Sequence, residues 1–306
     1  MIIAVTGASG FFAWRFINLA AENSNNIIIA VSSDVNKIKQ MYTQNNVECL
    51  SNLEFLRLSP KKANIDALIH TAFSRQSDGM KLVQSLKFLK DVLRKAVNLK
   101  VKKFINLSSQ SVYGSHSSQL KKENGLDNLE PEYLYSLAKC SSEILVEEIL
   151  NDSEVKYVNL RLASLIGPSY FYPDNIIYKF IEQSFSENRF KIIGGKQNFS
   201  FLDVRDAANA VLMLLNHELN NKDKFLNLGP EDNINIKQLG DLVKQIMYEK
   251  YDLMVDYDFE STDLVLNSGM DSSELFDKLS WRPKYSLKTT ISDTADFILK
   301  IEKERK

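Results

Sequence analysis

Short apolar runs alternate with amphipathic stretches along the first two-thirds of the chain. Ile2–Val5, Ile27–Val31, Ala67–His70, Phe104–Leu107 and Tyr157–Leu162 read as strands. Between them, 11–22, 80–98 and 135–150 read as helices. From Leu82, apolar residues recur at Leu86, Leu89, Leu93, Ala96 and Val97, which is helical spacing. Alternation of this kind predicts an α/β fold with a doubly wound parallel sheet covered on both faces. Val47–Leu58 is irregular and holds one short strand or two.

The rhythm changes after residue 165. Gly167-Pro168 breaks the chain, and 174–188 reads as a helix. A Gly194-Gly195 turn, a strand at 199–204 and a helix from Arg205 to His217 follow, then a polar, mixed tail. These segments predict a smaller second lobe over 166–306. Ser115–Asn128 is the candidate mobile loop, being polar with Gly125 in it.

Composition narrows the class. The chain has 306 residues, 44% hydrophobic and 25% charged, enough for a sizeable core. With 38 basic and 39 acidic residues its formal charge is −1, so nothing global favours nucleic acid or an anionic membrane. No apolar run approaches a bilayer span. The first strand starts at residue 2, and no signal peptide is expected. Cys49 and Cys140 make no disulfide or zinc pattern, which points to a reducing, cytoplasmic setting. His70, His116 and His217 are scattered, so no metal site is expected.

Two stretches carry chemistry. The first strand runs into Thr6-Gly7-Ala8-Ser9-Gly10-Phe11-Phe12-Ala13. Gly7 and Gly10 let the backbone turn tightly and approach a pyrophosphate, and the next helix aims its first amides at the phosphates. Ala13 is small enough for close helix–strand packing. Gly7, Ser9, Gly10, Phe11 and Phe12 are therefore candidate cofactor contacts. The second strand ends in Ser32 and Ser33, with Asp34 and Lys37 following. Two hydroxyls and an ammonium suit a 2′-phosphate, which favours NADP over NAD.

The second stretch is Tyr135-Ser136-Leu137-Ala138-Lys139. Spacing of four places Tyr135 and Lys139 on one helix face. A phenol of pKa about 10 needs tuning to serve near neutrality, and an adjacent ammonium lowers it. Ser109 ends the strand Phe104–Leu107, in Ser108-Ser109-Gln110-Ser111-Val112-Tyr113-Gly114, and supplies a hydroxyl donor.

These motifs, in this order, resemble the extended short-chain dehydrogenase/reductases, in particular the nucleotide-sugar epimerase/dehydratase group. Ile65–Ala72 resembles the family's fourth strand, whose end lies beneath the cofactor and brings in Thr71 and Ala72. Leu160-Arg161, Gly167-Pro168, Phe225-Leu226-Asn227-Leu228-Gly229 and Trp281-Arg282-Pro283 resemble its later markers. The resemblance implies a Rossmann-type NAD(P)-binding domain over 1–165, with later segments returning to it, and a substrate-binding lobe mainly over 166–306. It implies Tyr135 as general acid/base, Ser109 as substrate hydrogen-bond donor, and Lys139 as modulator of the phenol and ribose anchor. It also implies a homodimer through the helices at 80–98 and 135–150.

Departures from the family pattern are informative. Family dehydratases carry an Asp-Glu pair where this chain has Gln110 and Ser111, so elimination of water is disfavoured. Epimerisation or 4-keto reduction of a nucleotide sugar is the leading expectation, with Ser109, Gln110, Ser111 and Ser164 as substrate contacts. Ser164 replaces a usual asparagine, and Phe199 stands where an arginine often holds a diphosphate. Phenylalanine cannot make that bidentate contact. Arg161, Lys196, Arg205 and Arg282 are candidate replacements. Reduction of a non-sugar carbonyl compound, or a non-catalytic cofactor-binding sensor, are the alternatives.

Overall fold

In the computed structural model the five apolar runs become strands of one seven-stranded sheet. The residues described are 1–60, 64–75, 78–115, 120–123, 125–126, 129–171, 173–220 and 223–305. His116 and half of the loop Ser115–Asn128 fall outside them.

The sheet comprises β1 (Ile2–Thr6), β2 (Ile27–Ser32), β3 (Val47–Ser51), β4 (Ala67–His70), β5 (Lys103–Ser109), β6 (Lys156–Leu162) and β10 (Phe225–Leu228), every pair parallel. Its order is β10-β6-β5-β4-β1-β2-β3, so chain direction across the sheet reverses between β1 and β4. Crevices at such a switch point, beyond the carboxyl ends of the strands, are where open α/β sheets bind ligands.

Both faces of the sheet are buried, and side chains alternate between them. Ile3 and Val5 pack with α1 (Phe11–Ala21) and α7 (Val204–Asn216). Ala4 points to the other side, where α4 (Gly79–Asn98) and α5 (Leu134–Leu150) contribute Leu89, Leu93, Val146 and Leu150. Near-continuous apolar strands follow from burial on both sides.

A third apolar cluster lies in the later segments. α6 (Ile176–Glu187) and α8 (Ile236–Tyr251) pack on β8 (Arg189–Phe199), and α10 (Leu287–Arg305) packs against both helices. That strand joins β11 (Ile234–Asn235) and β12 (Asp256–Asn267). β7 (Ser164–Ile166) pairs with β9 (Phe201–Asp203). α9 (Ser273–Leu279) packs under the large sheet instead, through Leu275 and Phe276.

The structure sharpens some sequence expectations and corrects others. Val47–Leu58 holds one strand, and the rest of it contains the helix α3 (Asn52–Leu56), started by a capping box between Ser51 and Glu54. A short helix, α2 (Val35–Met41), begins after Asp34, which accepts from the Lys37 amide. Gly194-Gly195 is not a turn. It lies within β8 at φ 145 and 154, opposite a register shift between Ser261 and Val265, which is how glycine serves a bulge. Lys103 Nζ, at the end of the basic run Lys100–Lys103, donates to the Leu215 carbonyl at 2.6 Å. The described part of the loop Ser115–Asn128 is tied down. Lys121 N donates to Gly269 O at 3.2 Å, and Gly125 O accepts from Arg161 Nη2 at 2.6 Å. Among the described residues, no helix is long and apolar enough to cross a membrane.

Candidate active site

The glycine turn is fixed by contacts that only glycine permits. Gly7 has φ +74, and a Cβ there would lie 2.7 Å from the Cα of Ala72. Thr71 Oγ1 donates to Thr6 O at 2.8 Å, and Tyr42 Oη donates to Ala8 O at 2.6 Å. Gly10 caps α1 with no side-chain hydrogen bond to the helix's first amides. Ser32 Oγ donates to Ser9 Oγ at 3.3 Å, while Ser33 is exposed. Lys37 Nζ lies 5.5 Å from the centre of the Phe171 ring.

A cavity of about 360 Å³ opens beside this turn. Gly10, Phe11, Phe12 and Thr71 line one side of it. Ser109, Gln110, Ser111, Tyr135, Lys139 and Ser164 line the other. Gly7, Ser9, Ser32, Ser33 and Ala72, also expected at the cofactor, do not line the cavity. Two motifs far apart in sequence thus meet at the switch point, because β1, β4 and β5 are neighbours in the sheet.

Ser109 ends β5 and caps a short 3-10 helix (Gln110–Tyr113), its Oγ accepting from Ser111 N at 3.2 Å. It also hydrogen-bonds the Tyr135 side chain. Gln110 Nε2 donates to Ser164 Oγ at 3.2 Å. Gln110 Oε1 and Ser111 Oγ are buried with no hydrogen-bond partner among the described residues.

Burial pushes the Tyr135 phenol above its ordinary value. The Arg75 charge and the bond to Ser109 pull it back part of the way. Lys139, the cation expected beside the phenol, has its Nζ 5.9 Å from the centre of the Tyr135 ring. Its Nζ donates to Leu107 O at 2.7 Å and sits 4.0 Å from the centre of the Phe73 ring. Lys139 is itself buried, which draws its pKa down to about 7; the nearby Glu143 carboxylate opposes this, and Arg75 adds to it. His70 is buried, its Nδ1 2.8 Å from Thr6 Oγ1, and burial brings its pKa to about 3. It is a neutral structural group at working pH.

Arg75 and Phe73 are the residues that sequence reasoning missed. Both sit on the loop after β4, and nothing in their spacing marks them. Replacing Arg75 by Gln removes a cation acting on two titrating groups. Both pKa values then rise, so the limbs of the oxidative pH–rate profile move to higher pH, by less than about one unit. Unmoved limbs would sink that assignment.

The four cations offered as replacements for Phe199 are already engaged. Arg161 is fully buried against Glu143. Arg205 bonds Asp203 and Asp293 and stacks 3.6 Å from the centre of the Tyr285 ring. Lys196 pairs with Asp263, and Arg282 with Asp277 and Glu231. Phe199 itself stacks on Phe201, with ring centroids 5.4 Å apart.

Comparison with known proteins decides the family. The model of the NAD dependent epimerase/dehydratase family matches residues 3–229. The chain belongs to that family. This epimerase/dehydratase-family chain is 28% identical over 240 residues to a dTDP-D-glucose 4,6-dehydratase of Dictyostelium discoideum, covering 70% of the chain and 55% of the relative. It is 27% identical over 206 residues to a probable GDP-L-fucose synthase of Oryza sativa subsp. japonica, covering 63% and 61%. The chain thus spans less than two thirds of the length of both relatives. A solved structure of a tyrosine-to-phenylalanine mutant of UDP-glucuronic acid 4-epimerase from Bacillus cereus superposes with TM-score 0.85 at 20% identity. The match covers 98% of this chain and 100% of that one, which bears out the expected Rossmann-type sheet. That structure is a complex with UDP-4-deoxy-4-fluoro-glucuronic acid and NAD.

Proposed function

We propose that this chain catalyses NAD(P)-dependent epimerisation or 4-keto reduction of a nucleotide sugar, with Tyr135 moving the proton. The observation that carries this reading is the single cavity holding Ser109, Tyr135 and Lys139 against the glycine turn.

The residues present fit a dinucleotide. Gly7 leaves backbone bare where a side chain would collide with Ala72, and the first amides of α1 have no side-chain cap. A nicotinamide bound there would supply hydride donor or acceptor chemistry. The chain's own residues handle the rest. Tyr135 donates its phenolic proton to a carbonyl oxygen, or takes one from a hydroxyl in the reverse direction. Ser109 hydrogen-bonds the same oxygen. Lys139 holds positive charge next to the phenol and anchors the ribose. Gln110 Oε1 and Ser111 Oγ, unpaired among the described residues, receive substrate hydroxyls together with Ser164. Gln110 and Ser111 lack the acid–base pair that dehydration needs, so elimination is not assigned.

NADP is the proposed cofactor over NAD, supported by the exposed Ser33 hydroxyl and the Lys37 ammonium beyond β2. A homodimer is supported by the exposed apolar residues Val83 on α4 and Leu137 and Ile144 on α5. Sedimentation as a monomer would contradict the dimer.

A second reading is favoured by a specific compartment. Behind Ser111 and Ser164 lies a further space of about 170 Å³, lined by Glu132, Tyr133, Phe199 and Leu266 among others. None of its described lining residues is Lys or Arg, so it suits a non-nucleotide carbonyl compound better than a diphosphate. A panel of nucleotide sugars, each incubated with NADP and with NAD and followed at the nicotinamide absorbance, separates the readings. Turnover supports the first. Absence of both turnover and thermal shift across the panel supports the second, and tighter binding of NAD than NADP overturns the cofactor choice.

A further inference from the structure

Glu143 has no part in the chemistry described so far, yet it is one of the most deeply placed charges in the molecule. Its side chain is fully buried, as is that of Arg161 on β6. Arg161 grips it with two donors, Nη2 to Oε2 at 2.7 Å and Nε to Oε1 at 3.0 Å. Ser108 Oγ also donates to Oε1. Arg161 is held in turn by Tyr113, whose Oη accepts from Nη1 at 2.9 Å and donates to Asn227 Oδ1 at 2.8 Å.

Burying such a pair is weak evidence of a stabilising role, since apolar residues of similar volume usually do as well or better. Its location is more informative. Glu143 follows Lys139 by four residues on α5, so the two stand one above the other on the same face, in the row that begins at Tyr135. Its hydroxyl partner, Ser108, lies between Leu107 and Ser109 on β5. Leu107 gives its carbonyl to Lys139, and Ser109 bonds Tyr135.

We propose that Glu143 is a positioning residue of the catalytic group: one helical turn beyond Lys139 and clamped by Arg161, it holds a negative charge on the lysine's face of α5 and, through Ser108, fixes the strand end that carries Ser109. The proposal rests on the reading of Lys139 as part of that group.

The surroundings of Lys139 support it. From the loop after β4 come the Arg75 cation, which repels the ammonium, and the Phe73 ring. From β4 comes His70, neutral at working pH. From β5 comes only a carbonyl, that of Leu107. On α5 itself are the Tyr135 phenol and Glu143. The anion acting on Lys139 among the described residues is therefore Glu143. Without it, a buried ammonium would keep one carbonyl, one aromatic face and a repelling neighbour. Such a lysine loses its proton below neutrality.

The test reads Lys139 directly and needs no substrate. Full-length protein labelled with ¹³Cε-lysine is titrated by NMR, and the Lys139 signal is assigned by its absence in Lys139→Arg. In the wild type the midpoint lies near 7. In Glu143→Gln it falls by about one pH unit or more, and Glu143→Asp, which restores the carboxylate, recovers most of the shift. If Glu143→Gln does not fold, Glu143→Gln combined with Arg161→Gln carries the test. There the midpoint still falls, though by less, because a more distant cation is removed as well. A midpoint that stays put in the folded variant overturns the proposal. Failure to find a turned-over sugar would count against the proposed function and leave this titration unaffected.

Discussion

Tyr135→Phe lowers turnover by about 10²–10⁴-fold while leaving cofactor affinity and thermal stability close to wild type. The hydroxyl is the group proposed to move the proton, and among the described residues no other phenol lines the cavity. Its removal disturbs little else. Ser109 Oγ still accepts from the Ser111 amide, and Lys139 still donates to Leu107 O. The edge of the ring contact with Phe73, at 6.1 Å between centroids, does not involve the hydroxyl. Single-turnover kinetics with a reactive substrate, alongside titration of the cofactor, separates the two effects. Turnover within a factor of a few of wild type would remove Tyr135 from the mechanism. A parallel collapse of cofactor binding would make the residue structural.

The largest stability effect is expected at Arg161. Arg161→Met strips the Glu143 carboxylate of two of its three donors among the described residues, leaving Ser108, inside a site closed to water. It also removes a donor to Gly125 O, on the loop between β5 and α5, and the guanidinium stacked between Tyr113 and Phe225 at 4.8 and 4.9 Å. Breaking one side of a buried pair in this way costs about 3–5 kcal/mol. Urea unfolding of the two proteins measures it. Adding Glu143→Met to Arg161→Met should recover much of the loss, since no charge then lies buried without a partner. A single variant within about 1 kcal/mol of wild type would mean that water or a shifted side chain reaches Glu143.

Much of the fold was legible because its strands are buried on both faces. Ile2–Val5, Ile27–Val31 and Ala67–His70 carry no competing polar pattern, and each emerges as a strand within a residue of the expected bounds. The helix from Gly79 showed in the repeat of its leucines. What was missed has local causes. α2 and α3 are short, and their signal lies in caps, Asp34 and the Ser51–Glu54 box, more than in periodicity. α8 has the same kind of start, a box between Asn235 and Gln238, hidden in a stretch that reads as polar overall. Gly194-Gly195 reads as a turn in the sequence. The structure fills the space beside it with the folded-back Gln197 side chain, whose Oε1 accepts from Gly195 N at 2.7 Å.

The candidate site divides along the same line. The glycine turn, Ser109, Tyr135 and Lys139 lie in motifs with fixed spacing, and the sheet order brings them together. Phe73 and Arg75 lie on a loop whose path depends on tertiary packing. Glu143 carried a faint signal. An acid four residues beyond a lysine on a buried face needs a cation from another element, and Arg161 was the arginine embedded in an apolar strand.

The most direct test of hydride transfer at this cavity follows a label. Purified protein is incubated with NADPH or NADH deuterated at nicotinamide C4 and a panel of 4-keto nucleotide sugars, and the products are weighed by mass spectrometry. One deuterium on the product carbon with the wild type, and none with Tyr135→Phe, is the result expected. Deuterium transferred equally by both proteins would contradict the role given to Tyr135. No transfer to any panel member, from a protein that binds the cofactor, would contradict a nucleotide-sugar substrate.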